Sequence, residues 1–164
     1  MPDQPLYRLL LAKESFKFSA AHFTLFGDGR AELLHGHNYH VEVEVAGSEL
    51  DAYGLLLDIE SFKRTLRALC DRLDTKTLIP AESTELRVEQ EGDEVEVRLG
   101  PRRYRLPAPD TLLLPLANTS IELLARLLWL ELVPALAGTR VETMAVSVEE
   151  SAGQRCWYES AVSR

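Results

Sequence analysis

The sequence predicts an α+β fold, and three observations carry that expectation. Residues near both ends alternate apolar and polar with the period of a half-buried strand, two internal stretches repeat apolar residues at helical spacing, and a further alternating stretch sits between those helices. The expected order is strand, strand, helix, inserted strands, helix, strand. A chain of 164 residues falls at the usual size of one domain, so 1–164 is expected as a single unit, with an insertion at about 82–112.

The first strand is KFSAAH, in which Phe18, Ala20 and His22 share one parity with Phe16 just before it, and Lys17 and Ser19 have the other. A turn follows in FGDGR, whose two glycines supply the backbone freedom a tight loop needs. The second strand, residues 35–45, alternates more cleanly, with His35, His37, Tyr39, Val41, Val43 and Val45 on one face and Asn38, His40, Glu42 and Glu44 on the other. From Asp58, the spacing of Phe62, Leu66, Leu69, Cys70 and Leu73 predicts an amphipathic helix of about four turns. Residues 84–107 return to alternation, broken by Gly92 and by Gly100 with Pro101, and read as a small β-meander.

A second helix is expected from Thr119, where Thr-Ser-Ile-Glu forms a capping box, to about residue 133, before Pro134. Its leucines at 123, 124, 127, 128, 130 and 132 nearly encircle it, so burial in an oligomer is one explanation of the pattern. The last strand, 143–150, sets Met144, Val146, Val148 and Glu150 on one face.

Charge and composition exclude several classes of function. With 18 Lys and Arg against 26 Asp and Glu, the net charge is −8, which is the wrong sign for a nucleic-acid binder. The two cysteines, Cys70 and Cys156, have no metal-type spacing and are too few for a disulfide framework, so both read as bystander thiols. The N-terminal stretch offers a four-residue apolar run, too short for a signal peptide, and Asn118, Glu122, Arg126 and Glu131 interrupt the most apolar region before it could span a membrane. A cytoplasmic protein without membrane or nucleic-acid partners is the expectation.

All four histidines fall between positions 22 and 40, and strand parity sorts them. His35 and His37 project from one face and His22 comes from the inward face of the preceding strand, so three neutral imidazoles can converge as in a catalytic zinc site, whereas His40 points away. The alternative is a set of core histidines satisfied by backbone groups. Glu150 shares its face with three apolar residues, and such a carboxylate is costly unless paired. The alternative is a strand-end carboxylate already in water or bound to an arginine.

Phe-Ser-Ala-Ala-His at 18–22 followed by Leu-His-Gly-His-Asn-Tyr at 34–39 resembles the 6-pyruvoyltetrahydropterin synthase family, which includes the 6-carboxytetrahydropterin synthases. The likeness extends to Leu-Leu-Asp-Ile at 56–59, Leu-Asp-Thr-Lys-Thr-Leu at 73–78, Asn-Thr-Ser-Ile-Glu at 118–122 and Val-Glu-Glu-Ser at 148–151, leaving out only the meander. It implies a tunnelling fold (T-fold), with an antiparallel four-stranded sheet and two helices on one face. It also implies a homohexamer of two trimers with active sites between subunits. By the same resemblance His22, His35 and His37 bind Zn2+, Glu150 anchors the pterin with Thr119 and Ser120 beside it, and Asp74 belongs to the catalytic set.

The chain departs from the family pattern at two positions. Typical members carry a cysteine where Ala31 stands, and a histidine after the aspartate where Thr75 follows Asp74. Glu32, in Glu-Leu-Leu-His-Gly-His, instead resembles a branch in which a glutamate replaces the cysteine. That branch is associated with cleaving the side chain of 7,8-dihydroneopterin triphosphate to 6-hydroxymethyl-7,8-dihydropterin for folate synthesis. Three other readings stay open: a 6-carboxy-5,6,7,8-tetrahydropterin synthase of queuosine biosynthesis, a non-catalytic pterin- or metal-binding paralogue, and Glu32 as an ordinary loop carboxylate. His35-x-His37 with Glu42 also resembles the metal motif of the all-β cupins, but parity sets Glu42 on the polar face and two helices do not fit such a barrel.

Overall fold

A computed structural model describes residues 6–163; the first five residues of the N-terminal stretch lie outside them. The expected α+β class is observed. The strands are β1 (Tyr7–Leu11), β2 (Lys17–His22), β3 (Leu25–Gly27), β4 (Arg30–Ala31), β5 (His35–Gly47), β6 (Lys76–Pro80), β7 (Arg87–Glu91), β8 (Glu94–Leu99), β9 (Arg102–Pro107), β10 (Thr111–Leu114), β11 (Thr143–Ser151) and β12 (Gln154–Ala161). The helices are α1 (Ile59–Leu73) and α2 (Ile121–Leu132).

The main sheet is wider than four strands. Its order is β10-β6-β2-β5-β11-β12, and β1 pairs with the second half of β5. The strands β2, β5, β11 and β12 make the expected antiparallel set, while β6 and β10 extend it in parallel. The inner face of β5 is fully apolar from Tyr39 to Val45, and α1 and α2 both pack there, so Phe18, Val43, Leu66, Leu128 and Val146 share one core. A second core forms where Phe23, Leu25 and Ile79 meet Val95, Val97 and Leu99 of β8. The meander β7-β8-β9 leaves the sheet after β6 and returns at β10, which lies beside β6 with Thr111 opposite Thr77.

Helix α1 starts as its sequence requires, with the Asp58 side chain accepting from the N–H groups of Glu60 and Ser61. Helix α2 is capped one residue later than expected: Ser120, not Thr119, accepts from the Leu123 N–H. The apolar girdle of α2 is covered within the chain by β11, β12 and α1, leaving Leu130 as its exposed leucine. Self-association therefore has no motive in α2; exposed apolar side chains lie instead at Leu6, Tyr7 and Leu10 and at Tyr53 and Leu55. Among the described residues, no helix is long and apolar enough to cross a membrane.

After α1 the chain turns at Thr75 with φ of 58°, a left-handed conformation that strains a β-branched residue. Its N–H donates to Ser19 O at 2.6 Å, which holds the turn against β2. Replacing Thr75 by Gly should relieve about 1–2 kcal/mol of strain against about 0.4–1 kcal/mol of added unfolded-state entropy. The expected outcome is a denaturation midpoint raised at unchanged slope; a lowered midpoint would show that the hydrogen bond from Thr75 Oγ1 to Asp74 O outweighs the strain.

Candidate metal centre

In the antiparallel pairing of β2 with β5, His22 lies opposite His35 and Ala20 opposite His37. Because alternate residues of a strand share a face, this register brings three imidazoles together. Their ring centroids are 4.7 to 5.3 Å apart, and one ligand atom from each lies within 4.8 Å of the others. His40 points away, toward the outer face with Asn38 and Ser19.

Hydrogen bonds fix which nitrogens face the centre. His22 Nδ1 lies 2.9 Å from Thr119 O and His35 Nδ1 2.7 Å from Leu33 O, and a carbonyl can only accept. Both rings therefore carry their proton on Nδ1 and offer the Nε2 lone pair inward. His22 Nε2 is buried and has no hydrogen-bond partner, and the Nε2 atoms of His35 and His37 sit only 2.9 Å apart. Lone-pair donors crowded together, with that of His22 buried, have a cation as their natural partner. With Zn–N bonds of about 2.0–2.1 Å, tetrahedral ligand nitrogens are about 3.3 Å apart, so modest movement of the rings accommodates zinc with a fourth position open. Burial, above all, holds the pKa of His22 below its ordinary value, and the charges of His35 and His37 act in the same direction against the Thr119 bond and Glu150. A neutral imidazole is the form a metal requires.

Thr119, expected beside the substrate, also holds the centre together. It is fully buried and its polar groups are engaged: the N–H donates to Asn118 Oδ1, the hydroxyl to Phe23 O, and the carbonyl orients His22. Asn118 in turn pairs with both backbone groups of Leu25, so the chain before α2 is tied to the strand just beyond His22. Ser120 caps α2 beside this anchor.

Glu32 follows the hairpin of β3 and β4, whose turn places Gly27, Asp28 and Gly29 all at positive φ, the conformation that glycine accommodates without cost. Its Oε2 accepts from Thr24 N–H at 2.8 Å and lies 4.0 Å from His35 Nε2. Partial burial alone would raise its pKa, but the Thr24 hydrogen bond and the charges of His35 and His22 outweigh it and hold the carboxyl below its usual value. Glu32 is thus ionised at neutral pH and can accept a proton.

Glu150 sits where the β11–β12 register shifts, and it is half-buried. Its charge acts on both His22 and Tyr39, whereas Glu149 is bound to Arg155 and to the Gly153 N–H. Tyr39, beyond the sequence-based set, is fully buried against Phe18 with its hydroxyl unpartnered, and its ring lies edge-on to His22 and His37.

Asp74 stands apart from the cluster. Its carboxylate accepts from Ser19 N–H at 2.6 Å and lines an outer cleft of about 660 Å3 with His40 and Asn38. Ser19 and Asn38 have the parity opposite to His22 and His37, so Asp74 is on the other face of the sheet from His22, His35 and His37 of its own chain. Neither cysteine enters the centre: Cys70 is in the core, with its thiol pushed up to about 12 chiefly by burial, and Cys156 lies on β12.

Known proteins are similar to this chain over most of its length. The sequence is 28% identical over 145 residues to a Methanocaldococcus jannaschii protein provisionally named 6-carboxy-5,6,7,8-tetrahydropterin synthase, covering 87% of this chain and 88% of that one. A Pyrococcus horikoshii protein with the same provisional name is 26% identical over 136 residues, covering 82% of this chain and 80% of that one. The crystal structure of 6-pyruvoyl tetrahydropterin synthase from Plasmodium vivax superposes with a TM-score of 0.89 at 27% identity, over 96% of this chain and 99% of that one. Forms of the P. vivax enzyme with a catalytic residue, a glutamate, replaced by alanine or by cysteine match with a TM-score of 0.86. The sequence model of the 6-pyruvoyl tetrahydropterin synthase family matches residues 11–161, nearly the whole chain, and the chain belongs to that family.

Proposed function

We propose that this protein is a zinc-dependent lyase that cleaves the side chain of 7,8-dihydroneopterin triphosphate and releases 6-hydroxymethyl-7,8-dihydropterin. The observation that carries the proposal is an ionised carboxylate, Glu32, 4.0 Å from His35 Nε2 in a centre without a thiol. A glutamate described as catalytic in the P. vivax relative supports the same assignment.

His22, His35 and His37 would hold the zinc, which would supply Lewis acidity toward the side-chain hydroxyl oxygens. Glu32 takes the proton of the second side-chain hydroxyl as the bond between the first two side-chain carbons breaks. The second carbon leaves as an aldehyde with the triphosphate. The electron pair stays on the first carbon, delocalised into the pterin, until Glu32 returns the proton there and completes the hydroxymethyl group. Glu150 pairs with the pterin ring N–H and amino group, with Ser120 alongside. Asp74, on the outer face, serves the site of a neighbouring copy in a homohexamer, which is how both faces of one chain contribute to catalysis.

Changing Glu150 to Gln keeps the shape but turns one acceptor into a donor facing the pterin amino group. Calorimetry should read about 1.5–3 kcal/mol of lost pterin binding, with zinc content unchanged; unaltered affinity would remove Glu150 from the site. The proposed reaction itself is tested by mass spectrometry of products formed from 7,8-dihydroneopterin triphosphate. The hydroxymethyl product is expected. A 6-carboxy-5,6,7,8-tetrahydropterin product would instead support the activity named in the archaeal relatives, and binding without turnover would support a non-catalytic paralogue.

A further inference from the structure

The inserted meander touches the loop that carries Glu32 at several points. Arg102, the first residue of β9, donates from Nη1 to Glu32 O at 2.7 Å and from Nη2 to Ala31 O at 3.2 Å, so one guanidinium holds two successive carbonyls. Glu85, just before β7, accepts from Gly29 N–H at 2.9 Å, at the tip of the same hairpin. Tyr104 stacks on Phe23, with ring centroids 5.8 Å apart, and Phe23 follows directly on His22. Ala31 and Leu34 pack against the core formed by Val95, Val97 and Leu99. The meander therefore grips both arms of the loop, and the arms hold each other through Glu32 N–H to Thr24 O and Thr24 N–H to Glu32 Oε2.

From this geometry we infer that the meander is a clamp for the Glu32 loop, with Arg102 as a positioning residue for that carboxylate. The inference rests on the reading of Glu32 as the base. A loop outside the main sheet has few backbone bonds of its own, and fixing two consecutive peptide groups at Glu32 removes the freedom that would let its carboxylate drift. Displacement of a reacting group by about 1 Å can cost about 10²-fold in rate. Arginine suits the task because its planar fork reaches two carbonyls at once, whereas lysine is a single point donor.

The test compares Arg102→Ala, Arg102→Lys, Glu32→Gln and the Arg102→Ala, Glu32→Gln double variant in side-chain cleavage, with hydrogen exchange on each protein. Arg102→Ala should lower kcat about 10- to 100-fold at unchanged KM and zinc content, and Arg102→Lys should fall between it and the wild type. In the double variant, loss of Arg102 should add no more than about twofold to the Glu32→Gln defect, since both act through one carboxylate. Exchange in residues 29–34 should be faster in Arg102→Ala while β5 is unaltered, a readout that needs no turnover. Unchanged exchange in that loop would overturn the clamp. An Arg102 effect that persists in full beside Glu32→Gln would overturn its action through Glu32. Full activity of Glu32→Gln alone would overturn the base assignment instead, leaving the exchange result to decide the clamp.

Discussion

Replacing Glu32 by Gln lowers side-chain cleavage by about 10²- to 10⁴-fold while zinc and pterin stay bound. The amide keeps the size of the carboxylate, and its oxygen can still accept from Thr24 N–H, so the loop has no reason to move. What it loses is the capacity to take a proton. Among the described residues of the same chain, Ala31 has no polar side-chain group, Asp74 is on the far face of the sheet, and both thiols lie outside the cluster. The depressed pKa of Glu32 fits a group that begins the reaction ionised. Steady-state and single-turnover rates check the expectation, and a fully active variant would move the proton transfer to another group.

Replacing His37 by Ala leaves the protein without stoichiometric zinc, whereas replacing His40 by Ala leaves metal content intact. Three imidazoles are the whole ligand set identified among the described residues, so removing one leaves two, below the three protein ligands of a catalytic zinc site. His40 belongs to the same strand and is only three residues away, yet parity turns it to the outer face. Elemental analysis of dialysed proteins reads the difference, and equal loss from both variants would contradict the ligand assignment.

Much of this site was legible because β2 and β5 follow the simplest rule in the sequence, a period of two, which assigns every histidine to a face before any contact is known. The same rule set Glu150 with Val146 and Val148, although not the register shift beyond Glu149 that accompanies it. Strands β1, β6 and β10 were missed. YRLLL, KTLIP and TLLL are short apolar runs without alternation, and they become strands only through partners distant in sequence. Edge strand β12 was missed beside the clearer β11. The encircling leucines of α2 suggested an oligomer surface, but in the fold they meet strands and α1 on several sides of the same chain. Thr119 and Arg102 act through main-chain carbonyls more than 65 residues away or through their own, and no side-chain pattern encodes that.

Diffraction from crystals of the wild-type protein on either side of the zinc absorption edge tests whether the three Nε2 atoms hold a zinc ion beside Glu32. One anomalous peak per chain is expected, about 2.0–2.1 Å from Nε2 of His22, His35 and His37. A peak on other residues, or zinc-loaded crystals with His22 Nε2 bound to a protein group and no peak at the cluster, would contradict it.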